Sequence, residues 1–399
     1  MRRAISTWSR SLSLALVMVA SLTTSACERG GGETEHPKDG GEDGEDEDLG
    51  DASLSGGGPG GIAEVTAGMA SADPAIVDAE ALIAKGEPAR ALELMDAAIV
   101  ERPDHARFHY VRGNALSHLD RDDEAMAAYE RAIALDPDDA LPHAALGNLV
   151  GLRFTATDAD KKAAIGHLQA ALERDPSLAD AHLALGVVLL DLGRLEDAAQ
   201  ALETAARLAP SVDTSYTLAQ VYARLGDDAR ALEHAHSAIE GEPGAAGVDI
   251  RLLYARLLMK AARADEAAAE FEQVAKLVPD SPPLRLEVAR GLLELGKLEQ
   301  SEVHMRWLVD AVPDQAPVRV NYGRLLVAQG AAKDALAQFD EALKLDPESR
   351  AAKTYRIEAL VAAKRCKDAR DALAQLSEAL GKQHRAVEKA KAWVYPRCK

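Results

Sequence analysis

Aromatic side chains are scarce: Phe, Trp and Tyr make up 4% of the 399 residues, although 47% are hydrophobic. An interior so poor in rings must be filled mainly by Ala and Leu, which suits closely packed helices and disfavours a deep aromatic-lined cofactor pocket. Positive charge is also in deficit. Lys and Arg number 46 against 65 Asp and Glu, a net charge of −19, which repels nucleic acid and anionic lipid surfaces, and no basic stripe stands out against that repulsion. Nucleic acid is therefore not an expected partner. Catalytic motifs are missing as well: there is no G-x-x-x-x-G-K phosphate loop, no H-E-x-x-H and no Cys-x-x-Cys. The reading is of a non-enzyme with no catalytic residue, no cofactor and no metal site.

No apolar run is long enough to span a bilayer. The run Ser11–Leu22, preceded by Arg2, Arg3 and Arg10, falls well short of the roughly 20 residues a spanning helix needs, and with its basic flank it reads as an export signal over residues 1–26. Thr24-Ser25-Ala26 then places small residues before Cys27. This resembles the lipobox of bacterial lipoproteins, which implies that Cys27 becomes the acylated first residue; Thr24 stands where that family prefers Leu. Ordinary signal-peptidase cleavage after Ala26 is the alternative. Residues 27–61 are read as a disordered acidic Gly-rich tether: 28–51 hold eleven acids against two bases, and Gly runs flank them. Such a stretch buries too little apolar surface to offset its chain entropy and acts as a spacer, an acidic docking tail being the sharper alternative.

From about residue 72 the sequence repeats. Prolines close successive units at 103, 137, 176, 210, 243, 279, 313 and 347, spaced by 34, 39, 34, 33, 36, 34 and 34 residues. With each Pro set at position 32, and the first helix of the third unit counted five residues earlier for its insertion, position 8 is always Gly or Ala, from Ala79 to Gly323, and position 20 is Ala except at Ser301. Position 24 is bulky (Met95, Tyr129, Leu168, Leu202, Phe271, Met305, Phe339), with Ala235 as the exception, where a cavity or loosened packing is expected. Spacing and pattern together resemble the tetratricopeptide repeat (TPR) family. The family's Trp at position 4 is missing throughout. The resemblance implies an all-α, right-handed superhelical solenoid of about nine TPR-like helical hairpins over 62–399. A ninth unit runs to about 381, with Ala369 and Leu373 at the small and bulky places, and a capping helix over 382–395 covers the exposed edge. The 39-residue interval is assigned to five residues inserted near TATDADKK, as a longer surface turn.

Cys366 and Cys398 remain as an even pair if Cys27 is lipidated. In antiparallel hairpins Cys366 falls at the turn of the ninth unit, and the terminal helix returns to that end before reaching Cys398. A disulfide is therefore expected, two free thiols being the alternative. His109, His143 and His182 share position 4 and are read as packing residues, because neighbouring hairpins at about 8–10 Å hold imidazoles too far apart for one metal. His234 and His236 are read as surface residues.

In the TPR family the first helix of each hairpin lines a concave groove. Position 9 there reads Asn114, Asn148, Val187, Gln220, Arg256, Arg290 and Arg324. The resemblance implies that the Asn residues hydrogen-bond a ligand's backbone and that the Arg ladder, spaced by 34, holds carboxylates; the complete carboxylate clamp is absent. A second series, Arg251, Arg285 and Arg319, sits at position 4, where an acidic partner and internal pairing with Glu287, Glu294 and Asp249 compete as explanations. The function that follows is a protein-binding scaffold or assembly factor in the bacterial cell envelope, exported to the periplasmic side of the outer membrane and anchored there by lipid. The alternative is an accessory subunit recruiting an envelope enzyme of polysaccharide export or peptidoglycan remodelling.

Overall fold

The computed structural model of the chain describes residues 73–153, 155–242 and 244–398. The export signal, Cys27 and the tether lie outside the described residues. Among the described residues there are nineteen α-helices and no strand. They form two compact units, divided between Leu208 and Ala209. The first holds four hairpins: α1 (Pro74–Ala84) with α2 (Pro88–Glu101), α3 (Ala106–His118) with α4 (Asp122–Leu135), α5 (Ala140–Leu152) with α6 (Asp158–Arg174), and α7 (Ala179–Asp191) with α8 (Leu195–Leu208). The second holds five: α9 (Val212–Leu225) with α10 (Asp228–Gly241), α11 (Val248–Lys260) with α12 (Ala264–Leu277), α13 (Pro282–Glu294) with α14 (Leu298–Ala311), α15 (Ala316–Ala328) with α16 (Ala332–Leu345), and α17 (Arg350–Ala362) with α18 (Cys366–Leu380). A terminal helix, α19 (Arg385–Arg397), packs on α17 and α18.

Local chemistry sets these boundaries. The closing prolines, Pro243 aside because it is outside the described residues, all fall between helices, as a residue without an N–H that fixes φ must in a helical chain. Within every hairpin but the third the turn hinges on one left-handed residue, such as Gly193 (φ 73°) between α7 and α8. The following N–H, of Arg194, donates to the carbonyl of Leu189 at 2.9 Å and closes the helix end. The ninth hairpin lacks a closing Pro and ends instead on Gly381, at φ 87°.

The repeated small and large residues meet at the helix crossings. A Cβ built on Gly186 would lie 2.4 Å from Leu202 Cγ, and one on Gly323 would lie 2.7 Å from the Phe339 ring. Position 8 is therefore small because the bulky residue at position 24 of the partner helix occupies the space a side chain would need. The Ala residues at position 20 are fully buried. Ser301 is tolerated there because its hydroxyl donates to the Ala289 carbonyl at 2.7 Å, so no buried polar group is orphaned.

Two expectations are corrected, those for the insertion and for His234. The five extra residues of the third unit do not all enter a turn: the connection spans 153–157, two residues longer than 192–194, and α6 is 17 residues long where the other second helices of the first unit have 14. Ala235 itself is fully buried, and Tyr222 on the first helix of the same hairpin is among the largest fully buried side chains. His234 is not a free surface residue, since it stacks on Tyr222 with ring centroids 5.5 Å apart.

The cap begins and ends later than expected. Val387, Ala390 and Val394 of α19 are fully buried against the last hairpins, so the helix shields the apolar edge that a tenth hairpin would otherwise cover. Cys366 and Cys398 are joined in a disulfide with their Cα atoms 5.2 Å apart, which ties the end of α19 to the start of α18. Charge is also less uniform than the whole-chain sum implies. Residues 73–208 carry 25 acids against 13 bases, whereas 209–399 carry 28 of each. Within the latter, 350–399 hold 13 bases against 5 acids, so a basic region exists after all, confined to the last hairpin and the cap.

Candidate partner-binding face

In both units first helices touch the first helices of neighbouring hairpins: α1 meets α3, α5 meets α7, and α15 meets α17. Position 9 recurs on these first helices and is thereby displayed repeatedly within each unit. The six residues singled out from sequence fall in both units, and each unit is considered separately.

In the first unit Asn114 is already engaged: its Oδ1 accepts from the Tyr129 hydroxyl at 2.9 Å. Burial raises the Tyr129 phenol well above its usual value and keeps it a neutral donor. Asn148 is exposed on α5 and has no hydrogen bond among the described residues.

In the second unit Gln220 hydrogen-bonds Tyr216, whose phenol is pushed up to about 12, chiefly by burial and then by Asp249. Arg256 pairs with Glu287 of the next first helix. Asp249, half-buried on α11, has its carboxyl raised by burial, with Arg256 opposing. Arg324 donates to Asn321 Oδ1 at 3.1 Å and lies 4.8 Å over the Tyr355 ring. Arg290 differs from both. It is exposed and has no ion pair or hydrogen bond among the described residues, while its charge lies close enough to lower the Arg256 pKa. The ladder thus contains two guanidiniums that are already satisfied and one that is not.

The ladder has a further rung that the sequence reading missed. Glu358 stands 34 residues beyond Arg324 at the same position, and burial raises its carboxyl while Lys389, Arg324 and Arg397 act against that. Continuing the 34-residue count would have found it. Lys389 of the cap donates to the Tyr355 hydroxyl at 3.0 Å and lies 5.6 Å from the Trp393 ring, so the row ends in an aromatic and cationic cluster. No spacing rule reveals that, because α19 is not a repeat.

The position-4 residues have another task. Arg285 donates to the Pro279 carbonyl at 2.6 Å and lies 4.2 Å over the Trp307 ring. Arg319 donates to the Pro313 carbonyl at 3.3 Å and to Gln338. His109 and His182 bond the carbonyls of Pro103 and Pro176 in the same way, at 2.7 and 3.0 Å. In these four units position 4 therefore secures the closing turn that precedes it. Arg251 instead pairs with Glu270 at 2.7 Å. Internal engagement accounts for this second series, with partners other than Glu294 and Asp249.

Among the described residues no cluster of three or more His, Cys, Asp or Glu side chains is arranged to hold a metal, and no helix is long and apolar enough to cross a membrane. The arrangement offers a row of polar side chains along the first helices.

Comparison with known proteins agrees with this geometry. A tetratricopeptide repeat profile matches residues 78–140, 159–213, 216–282 and 286–349, and a second one matches 326–394. The chain belongs to the tetratricopeptide repeat family, whose members generally mediate protein–protein interactions. Similar solved structures include a thermophilic TPR protein of Thermus thermophilus, TTC0263, at 23% identity over 46% of this chain and 97% of that one, with a TM-score of 0.39. YrrB, described as a TPR protein with an unusual peptide-binding site, shows 21% identity over 57% and 96%, with a TM-score of 0.37. PilF of Pseudomonas aeruginosa shows 20% identity over 55% and 96%, with a TM-score of 0.45. No curated protein sequence matches the chain.

Proposed function

We propose that this chain is a non-catalytic scaffold or assembly factor of the bacterial cell envelope that holds an acidic segment of a partner protein along the first helices of its second unit. Arg290 carries the proposal. It is an exposed guanidinium without a partner among the described residues, at the position where the repeats before and after it place Arg256 and Arg324. A planar fork of donors left free in a row of satisfied neighbours suits a carboxylate. Arg256 and Arg324 would shape the row and add field, their own hydrogen bonds remaining in place.

The envelope assignment rests on residues 1–27, where the basic flank, the short apolar run and the small residues before Cys27 fit export and acylation. A lipid anchor on the periplasmic side of the outer membrane, followed by the Gly-rich acidic spacer, would hold the array away from that surface. The test is a pull-down of cross-linked partners from envelope membranes with the wild-type chain and with Arg290→Glu. Loss of a partner bearing an acidic segment, with the circular dichroism and melting of the variant unchanged, supports the proposal. Undiminished capture by Arg290→Glu refutes it.

A further inference from the structure

The row of the second unit ends on cations that have no contact ion pair among the described residues. Tyr355 of α17 gathers two of them. The Arg324 guanidinium of α15 lies 4.8 Å from the centre of its ring, and the Lys389 ammonium of α19 lies 4.6 Å from the same centre. Lys389 also donates to the Tyr355 hydroxyl at 3.0 Å. Trp393, one turn further along α19, tilts against the same ring with centroids 6.0 Å apart, which helps to fix where the cap presents its lysine. An ammonium carries three N–H donors. One is spent on Tyr355, so two remain on a side chain that is exposed. An acid does stand here: Glu358, half-buried, follows Tyr355 by three residues and so shares its face of α17. Lys389 and Arg324 act on that carboxyl from a distance without pairing with it.

We propose that Lys389 of the cap is a second anchor for the partner segment held by Arg290, and that it takes a carboxylate about five or six residues further along an extended chain. The inference rests on the reading of Arg290 given above and adds to it the spacing of acids in the partner. That spacing comes from the helices. First helices α13, α15 and α17 touch in turn, and packed helices lie about 8–10 Å apart, so two steps cover about 16–20 Å. At about 3.3 Å per residue an extended chain crosses that interval in about five or six residues. Two separated anchors of like charge suit a chain with acids at intervals better than a single small anion. Arg324 stands between them, keeps its bond to Asn321 and adds positive field to the middle of the interval. Glu358 faces the same cations, so it competes with the incoming carboxylate and weakens the second anchor.

The probes are fluorescein-labelled oligoglutamates, a trimer and an octamer, amidated at the C-terminus so that no terminal carboxylate takes part. Each is titrated with the full chain and followed by anisotropy. Extended, the trimer falls short of the interval and the octamer exceeds it, so the octamer should bind about tenfold or more tighter than the trimer. Lys389→Gln should remove most of that gain without changing the melting temperature, and Lys389→Arg, which keeps the charge, should preserve it. Glu358→Gln should tighten octamer binding, because the competing carboxylate is gone. An octamer that binds the wild-type chain no tighter than the trimer would overturn the inference. So would a gain that persists in Lys389→Gln. Arg290→Glu separates the two claims. If it abolishes octamer binding while Lys389→Gln keeps the full gain, the inference fails and the reading of Arg290 stands. Octamer binding that survives Arg290→Glu overturns both.

Discussion

At the scale of single residues, the repeat is a set of steric and polar complements, and each can be tested. Gly186 faces Leu202 so closely that Gly186→Val should overpack the seventh and eighth helices and cost about 1–3 kcal/mol. Leu202→Ala should cost about 2–5 kcal/mol by opening a cavity. Because the two side chains compete for the same space, Gly186→Val with Leu202→Ala should cost less than the two single changes combined, as read from denaturation midpoints. Additive losses would mean the residues are not complementary. The two Arg series should also separate. Arg285→Ala removes a bond to the Pro279 carbonyl and a ring contact, so it should lower the melting temperature without changing partner binding. Arg290→Ala should do the reverse.

These complements were legible in the sequence to the extent that they are local and steric. A side chain at position 8 larger than Ala cannot fit whatever else the chain does, so the pattern Ala79 to Gly323 marks the crossings without coordinates. The fate of an Arg is different. Arg256, Arg290 and Arg324 are indistinguishable by spacing, and only the structure shows that Glu287 takes the first and Asn321 with Tyr355 the third. The role of position 4 was hidden for the same reason, because a hydrogen bond to the carbonyl six residues earlier depends on how the turn folds back.

At the scale of the element, the third hairpin is the irregular one. His143 on α5 is buried, and its two ring nitrogens have no hydrogen-bond partner among the described residues. The Pro137 carbonyl nearby is taken by Arg174 Nε at 2.7 Å. Its ring lies 6.0 Å from that of His167 on α6. Burial lowers the pKa of both; Arg174 and His167 push His143 the same way against the Pro137 carbonyl and Asp139, and Glu130 opposes the shift on His167. A base whose folded pKa lies below its unfolded value remains neutral in the fold while the unfolded chain takes up a proton. The stability of this hairpin should therefore be complete above about pH 6.5 and fall as pH drops below it. Amide exchange in α5 and α6, corrected for intrinsic rates, should speed up between about pH 7.5 and 5.5. His143→Leu with His167→Leu should flatten that dependence. Exchange that is insensitive to pH in the wild-type hairpin would contradict this assignment.

At the same scale, the capping helix depends on its cross-link. The disulfide closes a loop across 32 residues of separation, for which the chain-entropy relation gives about 3–4 kcal/mol. Cys398→Ser should lower the thermal midpoint and expose the amides of α19 to exchange before those of α13. Equal protection of α19 in the two forms would show that Val387, Ala390 and Val394 hold it unaided.

At the scale of the whole molecule, function follows from repetition. Within each unit hairpins bury one face against their neighbours, and their first helices display one position at intervals of about 34 residues, which suits binding an extended partner. The most direct measurement is site-specific photo-cross-linking in envelope membranes, with the reactive group placed at Arg290 on a first helix or at Val303, an exposed residue of the second helix α14. Adducts to a partner's acidic segment from position 290, and none from 303, are the predicted result. Adducts from 303 alone, or equally from both, would contradict a binding face built from the first helices.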